Sequence, residues 1–221
     1  MSCVISRSRF CLRLLAAFLV ARLSFGAGTD FGASLTADFA ARDALPESRV
    51  PKAEWAAKSG WGPAAMRYPA VQVPGGVDAV KWKRARVVAV AEKYIGLPYR
   101  HHHIPDWEPA GDVPGDEKGR GLDCSNFSAW VYNYGLGVRF TSDLPEQAKG
   151  WRAPGRVLVK DEAFEPGDLL FIEKMDRSEI SHVVIFVDAE HIIDCHAGGV
   201  AVRQFKGWYK SHLVFARRVI E

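Results

Sequence analysis

Phe127, Trp130, Val131 and Tyr134 recur at helical intervals directly after a cysteine, Cys124. That spacing defines a helix with one buried face, and Gly121 and Asp123 just ahead of it supply a turn and a helix start. Cys124 therefore falls in the first turn. Unpaired backbone N–H groups and the positive end of the helix dipole gather there, and both stabilise a thiolate. His182 follows 58 residues later, at the head of an apolar run. The two residues read as a cysteine nucleophile and its base.

The rest of the chain limits what this helix can pack against. Asp78 is a fitting N-cap for a helix marked by Val80, Val87, Val90, Ala91 and Tyr94, which Gly96 and Pro98 end. Ile104 to Gly121 carries Pro105, Pro109 and Pro114 among many charges and reads as a loop leading into the nucleophile. A short capped helical turn is expected over Thr141–Gln147. Strands then take over, at Leu169–Ile172 after the Pro166-Gly167-Asp168 turn, then at His182–Val187, Ile192–Ala197, Val200–Phe205 and Val214–Val219. Helices first and strands later indicate an α+β fold, with the nucleophile helix packed on a small antiparallel sheet.

Residues 1–26 stand apart. Arg7, Arg9 and Arg13 precede the apolar run Leu14–Val20, and small residues follow around Ser24, Gly26 and Ala27, the layout of a secretory signal peptide. The run is short of the roughly 20 residues a membrane span needs, and Arg22 interrupts it. Neither Cys3 nor Cys11 lies after the run, where a lipid-modified cysteine would stand. Export to the periplasm or the exterior is expected, with no stable membrane span after processing. Residues 27–78, rich in Ala, Gly and Pro with Trp55, Trp61 and Tyr68 scattered among them, read as an N-terminal arm or linker, and 79–221 as the catalytic domain.

Processing at that point would leave 25 of the 29 basic residues against 26 acidic ones. The formal charge falls from +3 to about −1, which removes the case for nucleic acid as a partner. Only Cys124 and Cys195 would remain, and two cysteines in an oxidising compartment invite a disulfide. Strand alternation argues against one. If Asp194 faces the active site, Cys195 faces the opposite layer, away from Cys124.

Acyl transfer by a cysteine also needs a group that holds the imidazole in its useful tautomer. Asp194 and His196 lie two apart on one predicted strand and share a face, so either could reach His182. Asp194 is favoured because a carboxylate also stabilises the imidazolium.

At this point the chain resembles the NlpC-type cysteine peptidases of bacterial cell walls, which have a papain-like core. The resemblance runs from about Val87 to the C-terminus. It rests on Gly96-Leu97-Pro98-Tyr99-Arg100, Leu122-Asp123-Cys124-Ser125-Asn126-Phe127, Thr141-Ser142 with Gln147, Pro166-Gly167-Asp168-Leu169-Leu170-Phe171 and His182-Val183-Val184-Ile185-Phe186, five elements in the family's order. It implies hydrolysis of peptidoglycan stem peptides at the link from D-glutamate to a diamino acid, through a thioester acyl-enzyme and without a cofactor. Cys124 would be the nucleophile and His182 the base, with an oxyanion hole from backbone N–H groups near Cys124. Tyr99 would hydrogen-bond near the reacting centre, and Asp123 and Ser125 would bind polar groups of the stem. The protein would then be associated with the cell wall; protein partners are not specified.

Two departures stand out. Family members commonly place a histidine twelve residues after the base, where this chain has Asp194, with His196 two places on. An acid can do that job. The chain also has His101-His102-His103 ahead of the long loop to Gly121. Consecutive extended side chains alternate faces and cannot all meet one ion, so no metal site is expected, and His101 is taken as a substrate contact. Two other functions compete with the endopeptidase. One is an amidase that separates stem from glycan, or a hydrolase of a small non-wall peptide. The other is a silent module that binds wall peptides or a partner.

Overall fold

A computed structural model describes residues 30–48, 67–99 and 122–221. Helices α1 (Phe31–Ser34), α2 (Phe39–Asp43) and a 3-10 turn (Pro46–Ser48) lead to α3 (Ala79–Lys93), α4 (Cys124–Leu136) and α5 (Leu144–Lys149). Strands β1 (Arg156–Val157), β2 (Leu169–Glu173), β3 (Ile180–Phe186), β4 (His191–His196) and β5 (Gly199–Gln204) follow, then α6 (Trp208–Ser211) and β6 (Leu213–Arg218). The expected signal peptide, Trp55, Trp61, His101 and the loop to Gly121 lie outside the described residues.

The fold is α+β. One six-stranded sheet has the order β1-β6-β2-β3-β4-β5, and every neighbouring pair is antiparallel. Its centre is covered on both sides, which is why β2 and β3 read as unbroken apolar runs. Leu169, Phe171, Val183, Ile185, Ile193, Cys195 and Val200 pack with Val87, Phe127 and Val131 of α3 and α4. Leu170, Ile172, Val184, Phe186 and Ile192 form the opposite cluster, closed by Phe205, Trp208 and Leu213. Each such buried side chain contributes about 1.5–3 kcal/mol.

Three aspartates start helices as the sequence indicates. Asp78 accepts from Lys81 N–H, Asp123 from Asn126 N–H and Asp143 from Glu146 N–H. The Pro166-Gly167-Asp168 turn is tied down by Asp168, whose carboxylate accepts from Arg218 at 2.7 and 3.1 Å. The Tyr132 hydroxyl donates to the Gly167 carbonyl from the facing helix.

Helix α3 holds two arginines in the interior. Arg86 is fully buried and donates to the carbonyls of Gly135 at 3.0 Å and Leu35 at 2.5 Å. Its remaining nitrogen pairs with Asp38 at 2.6 Å. Asp38, Leu35 and Arg42 belong to the segment expected to be an N-terminal arm or linker, which over residues 31–43 forms α1 and α2. Tyr68, also from that segment, is buried edge-on against Trp130 and Tyr134 of the nucleophile helix.

Candidate active site

Cys124 occupies the first turn of α4 and is 6% exposed. The turn is held from two sides. Asp123 Oδ1 accepts from Asn126 N–H at 2.8 Å and from the Ser125 hydroxyl at 3.0 Å. Gln147, fully buried on α5, donates to the carbonyls of Ser125 at 2.8 Å and Thr141 at 2.7 Å, and accepts from the Ser128 hydroxyl. Asp123 and Ser125, expected to bind substrate, are thus both buried parts of the cap that sets the nucleophile.

Strand β3 brings His182 to this turn. His182 pairs with Ile172, and the register against β2 shifts just beyond that pair, where Glu173 meets Ile180. Such a bulge re-aims a side chain at a strand end. The Cys124 sulfur lies within electrostatic reach of the His182 ring, whose Nε2 stands 2.6 Å from Asp194 Oδ2 on β4. Nδ1 is the ring nitrogen left for the cysteine. Burial disfavours the imidazolium, but the charge of the Cys124 sulfur and the Asp194 carboxylate outweigh it and push His182 up to about 9.

Asp194 is completely buried and saturated with donors. Oδ2 also accepts from the Tyr209 hydroxyl at 2.9 Å, and Oδ1 accepts from Arg203 Nε at 2.6 Å. Burial acts against its charge, yet His182 and Arg203 hold the carboxyl below the usual carboxylate range. Of the two candidate orienters, the structure places Asp194 on Nε2 of His182. His196 instead meets the His182 ring edge-on at 4.9 Å. Burial and the neighbouring imidazole hold His196 below the ordinary histidine value.

Tyr99 reaches the site through a β-bridge to Leu122, with its ring 6.2 Å from that of His196. Burial, then the charges of Cys124 and Asp123, push its hydroxyl up to about 12, so it remains a donor at neutral pH.

The expected direction of Cys195 needs correction. It does point away from Asp194, as alternation requires, but that direction leads into the cluster that contains Cys124 and Leu122. Both thiols are free. Cys195 donates to the Leu122 carbonyl at 2.9 Å, and burial pushes its thiol well above the usual value.

Three residues absent from the sequence reading complete the site. Trp208 stacks on His182 with ring centres 5.6 Å apart and planes 30° apart, and it donates to the Glu173 carbonyl. Tyr209 and Arg203 hold Asp194. The Gly198-Gly199 turn could have revealed Arg203, because it sets Asp194 opposite Ala201 and so puts Arg203 on the adjacent diagonal. Nothing in the sequence singles out the four-residue α6. Among the described residues, no group of three or more His, Cys, Asp or Glu side chains could hold a metal ion.

Residues 112–218 match the model of the NlpC/P60 family. Over 134 residues the chain is 28% identical to a gamma-DL-glutamyl hydrolase of Bacillus subtilis (strain 168). That match takes in 60% of this chain and 28% of the relative, so the chain spans less than a third of the relative's length. Among solved structures it is similar to the peptidoglycan hydrolase RipB of Mycobacterium tuberculosis, with 21% identity, a TM-score of 0.48 and coverage of 68% of this chain and 74% of that one. It is also similar to an NlpC/P60 family protein of Bacillus cereus ATCC 10987, with 22% identity, a TM-score of 0.47 and coverage of 62% and 40%.

Proposed function

We propose, from the membership of residues 112–218 in the NlpC/P60 family, that this protein is a cysteine hydrolase that cuts peptidoglycan stem peptides between D-glutamate and a diamino acid. The observation that carries the reading is the 2.6 Å contact of His182 Nε2 with Asp194 Oδ2, with the Cys124 sulfur within electrostatic reach of the same imidazole. It supplies a nucleophile, a proton carrier and an anion that fixes the carrier's tautomer. The name of the Bacillus subtilis relative, a gamma-DL-glutamyl hydrolase, supports a glutamyl bond as the target.

In this reading the Cys124 thiolate attacks the carbonyl carbon of the scissile amide, and N–H groups of the first turn of α4 take up the oxyanion charge. His182 passes its proton to the departing amine nitrogen as the C–N bond breaks, leaving a thioester. Water then attacks the thioester carbon while His182 accepts its proton, and loss of the C–S bond frees the acid and regenerates Cys124. Asp194 holds Nε2–H throughout. Tyr99 offers a hydroxyl donor near the reacting carbon. Asp123 and Ser125 keep the nucleophile turn in register, and together with His101 they are assigned to binding the stem. The chemistry assigned to these side chains calls for no cofactor.

Residues 79–221 are assigned to the catalytic domain and 27–78 to an N-terminal arm or linker. Residues 1–26 are assigned to export, placing the enzyme at the wall outside the cytoplasm. No helix among the described residues is long and apolar enough to cross a membrane.

The test is hydrolysis of a synthetic stem tetrapeptide by the reduced protein, with products weighed by mass spectrometry beside Cys124→Ala. Release of the dipeptide ending in D-glutamate, absent in the variant, is expected. A cut elsewhere in the stem would reject the bond assignment, and an intact tetrapeptide would reject the endopeptidase.

A further inference from the structure

A buried carboxylate beside a catalytic imidazole creates a difficulty that a neutral third residue would not. The anion stabilises the imidazolium, and an imidazolium held too tightly is a poor acid toward the departing amine. In this chain the carboxylate does not act alone. Arg203 reaches across from β5 and donates through Nε to Asp194 Oδ1 at 2.6 Å. Oδ2 on the same carboxylate serves His182 and Tyr209. The guanidinium is itself anchored, donating to the Gly199 carbonyl at 3.0 Å and the Ala197 carbonyl at 3.4 Å at the turn between β4 and β5. One planar cation thus ties the third residue to the hairpin that carries it.

We propose that Arg203 is a positioning residue of this site: it holds Asp194 square to His182 and offsets the carboxylate's charge, so that His182 can surrender its proton to the leaving group. The proposal rests on His182 acting as the proton carrier. The titratable groups that face His182 are Cys124 at the start of α4, Asp194 and His196 on β4 and Tyr209 on α6, while β2 meets it with Ile172. Arg203 is the cation that contacts Asp194 directly. Tyr209, the third donor to Asp194 beside His182 and Arg203, brings a neutral hydroxyl that burial keeps protonated.

The test needs no wall substrate. The rate of alkylation of Cys124 by iodoacetamide is followed against pH on the Cys124 peptide by mass spectrometry, in the wild type, R203Q and R203K. The upper inflection of that profile reports loss of the His182 proton. A unit charge removed several ångströms away through a partly wet site should raise this inflection by about one pH unit in R203Q, whereas R203K keeps it near the wild-type position. R203M, which retains an apolar stem along β5, serves as the second uncharged variant should R203Q fail to fold. With the stem peptide, kcat of the uncharged variant should fall about tenfold or more while KM holds. An unmoved upper inflection in a folded uncharged variant would overturn the proposal and leave Arg203 as a structural clamp. A raised inflection in a protein inert toward stem peptides would uphold the proposal and count against the substrate assignment alone.

Discussion

His182 and Asp194, twelve residues apart on neighbouring antiparallel strands, meet through Nε2 and Oδ2 at 2.6 Å with both side chains buried. Because that contact occupies Nε2, it leaves Nδ1 as the ring nitrogen for Cys124 and makes Asp194, not His196, the candidate to orient His182.

Replacing Asp194 by alanine is therefore expected to lower kcat by about 10²- to 10⁴-fold. His196→Ala, which removes a ring from the edge of His182, should stay within about tenfold. Steady-state kinetics on the two variants, with circular dichroism to check folding, measures the difference. The opposite order would transfer the orienting role to His196.

The same contact sets the pH behaviour. His182 is raised to about 9, so kcat/KM should hold through neutral pH and fall along an alkaline limb near pH 9. The folded value lies above the unfolded one of 6.5, so the stability it contributes is fully present below about pH 6.5 and is lost as the pH rises through about 9. Cys124 is a principal cause of the rise, so carbon-13 NMR of His182 in Cys124→Ala should show the imidazole titrating lower than in the wild type. An unchanged titration would separate His182 from Cys124.

Gln147→Leu removes hydrogen bonds to Ser125, Thr141 and Ser128, those to Ser125 and Ser128 buried and the one to Thr141 half-buried. Each orphaned buried group costs about 1–3 kcal/mol, so thermal unfolding should show a loss of about 3 kcal/mol or more. Activity should fall as well, since the Ser125 carbonyl belongs to the nucleophile turn. A variant with wild-type stability would show that the turn needs no brace from α5.

Gly199 has a φ of +91°, and a Cβ there would stand 2.4 Å from the Leu97 carbonyl oxygen. Val200 N–H donates to that same carbonyl at 2.8 Å. Gly199→Ala should thus cost about 2 kcal/mol through backbone strain and displace the Leu97–Tyr99 segment, with a fall in kcat larger than the fall in stability explains. Denaturant unfolding and kinetics on the one variant check both parts.

The α+β order, the helix that opens at Cys124 and the apolar strand headed by His182 were legible because each rests on local pattern. The apolar period after Cys124, the aspartate caps and the unbroken runs of β2 and β3 are short-range signals. The buried arginines were not. Arg86 sits in the period of a surface residue, and its interior position depends on the Leu35 and Gly135 carbonyls, which are 51 and 49 residues distant in the chain. Within the site, alternation separated Asp194 from Cys195 correctly but could not tell which face looks toward α4, so Cys195 was placed in the wrong layer. Trp208 and Tyr209 lie on a helix of four residues, too short to show a period.

The most direct test is digestion of purified peptidoglycan by the reduced protein beside Cys124→Ala, with the released fragments identified by mass spectrometry. The account predicts fragments cut between D-glutamate and the diamino acid, all absent in the variant. Release of whole stems from the glycan, or of nothing at all, would contradict it.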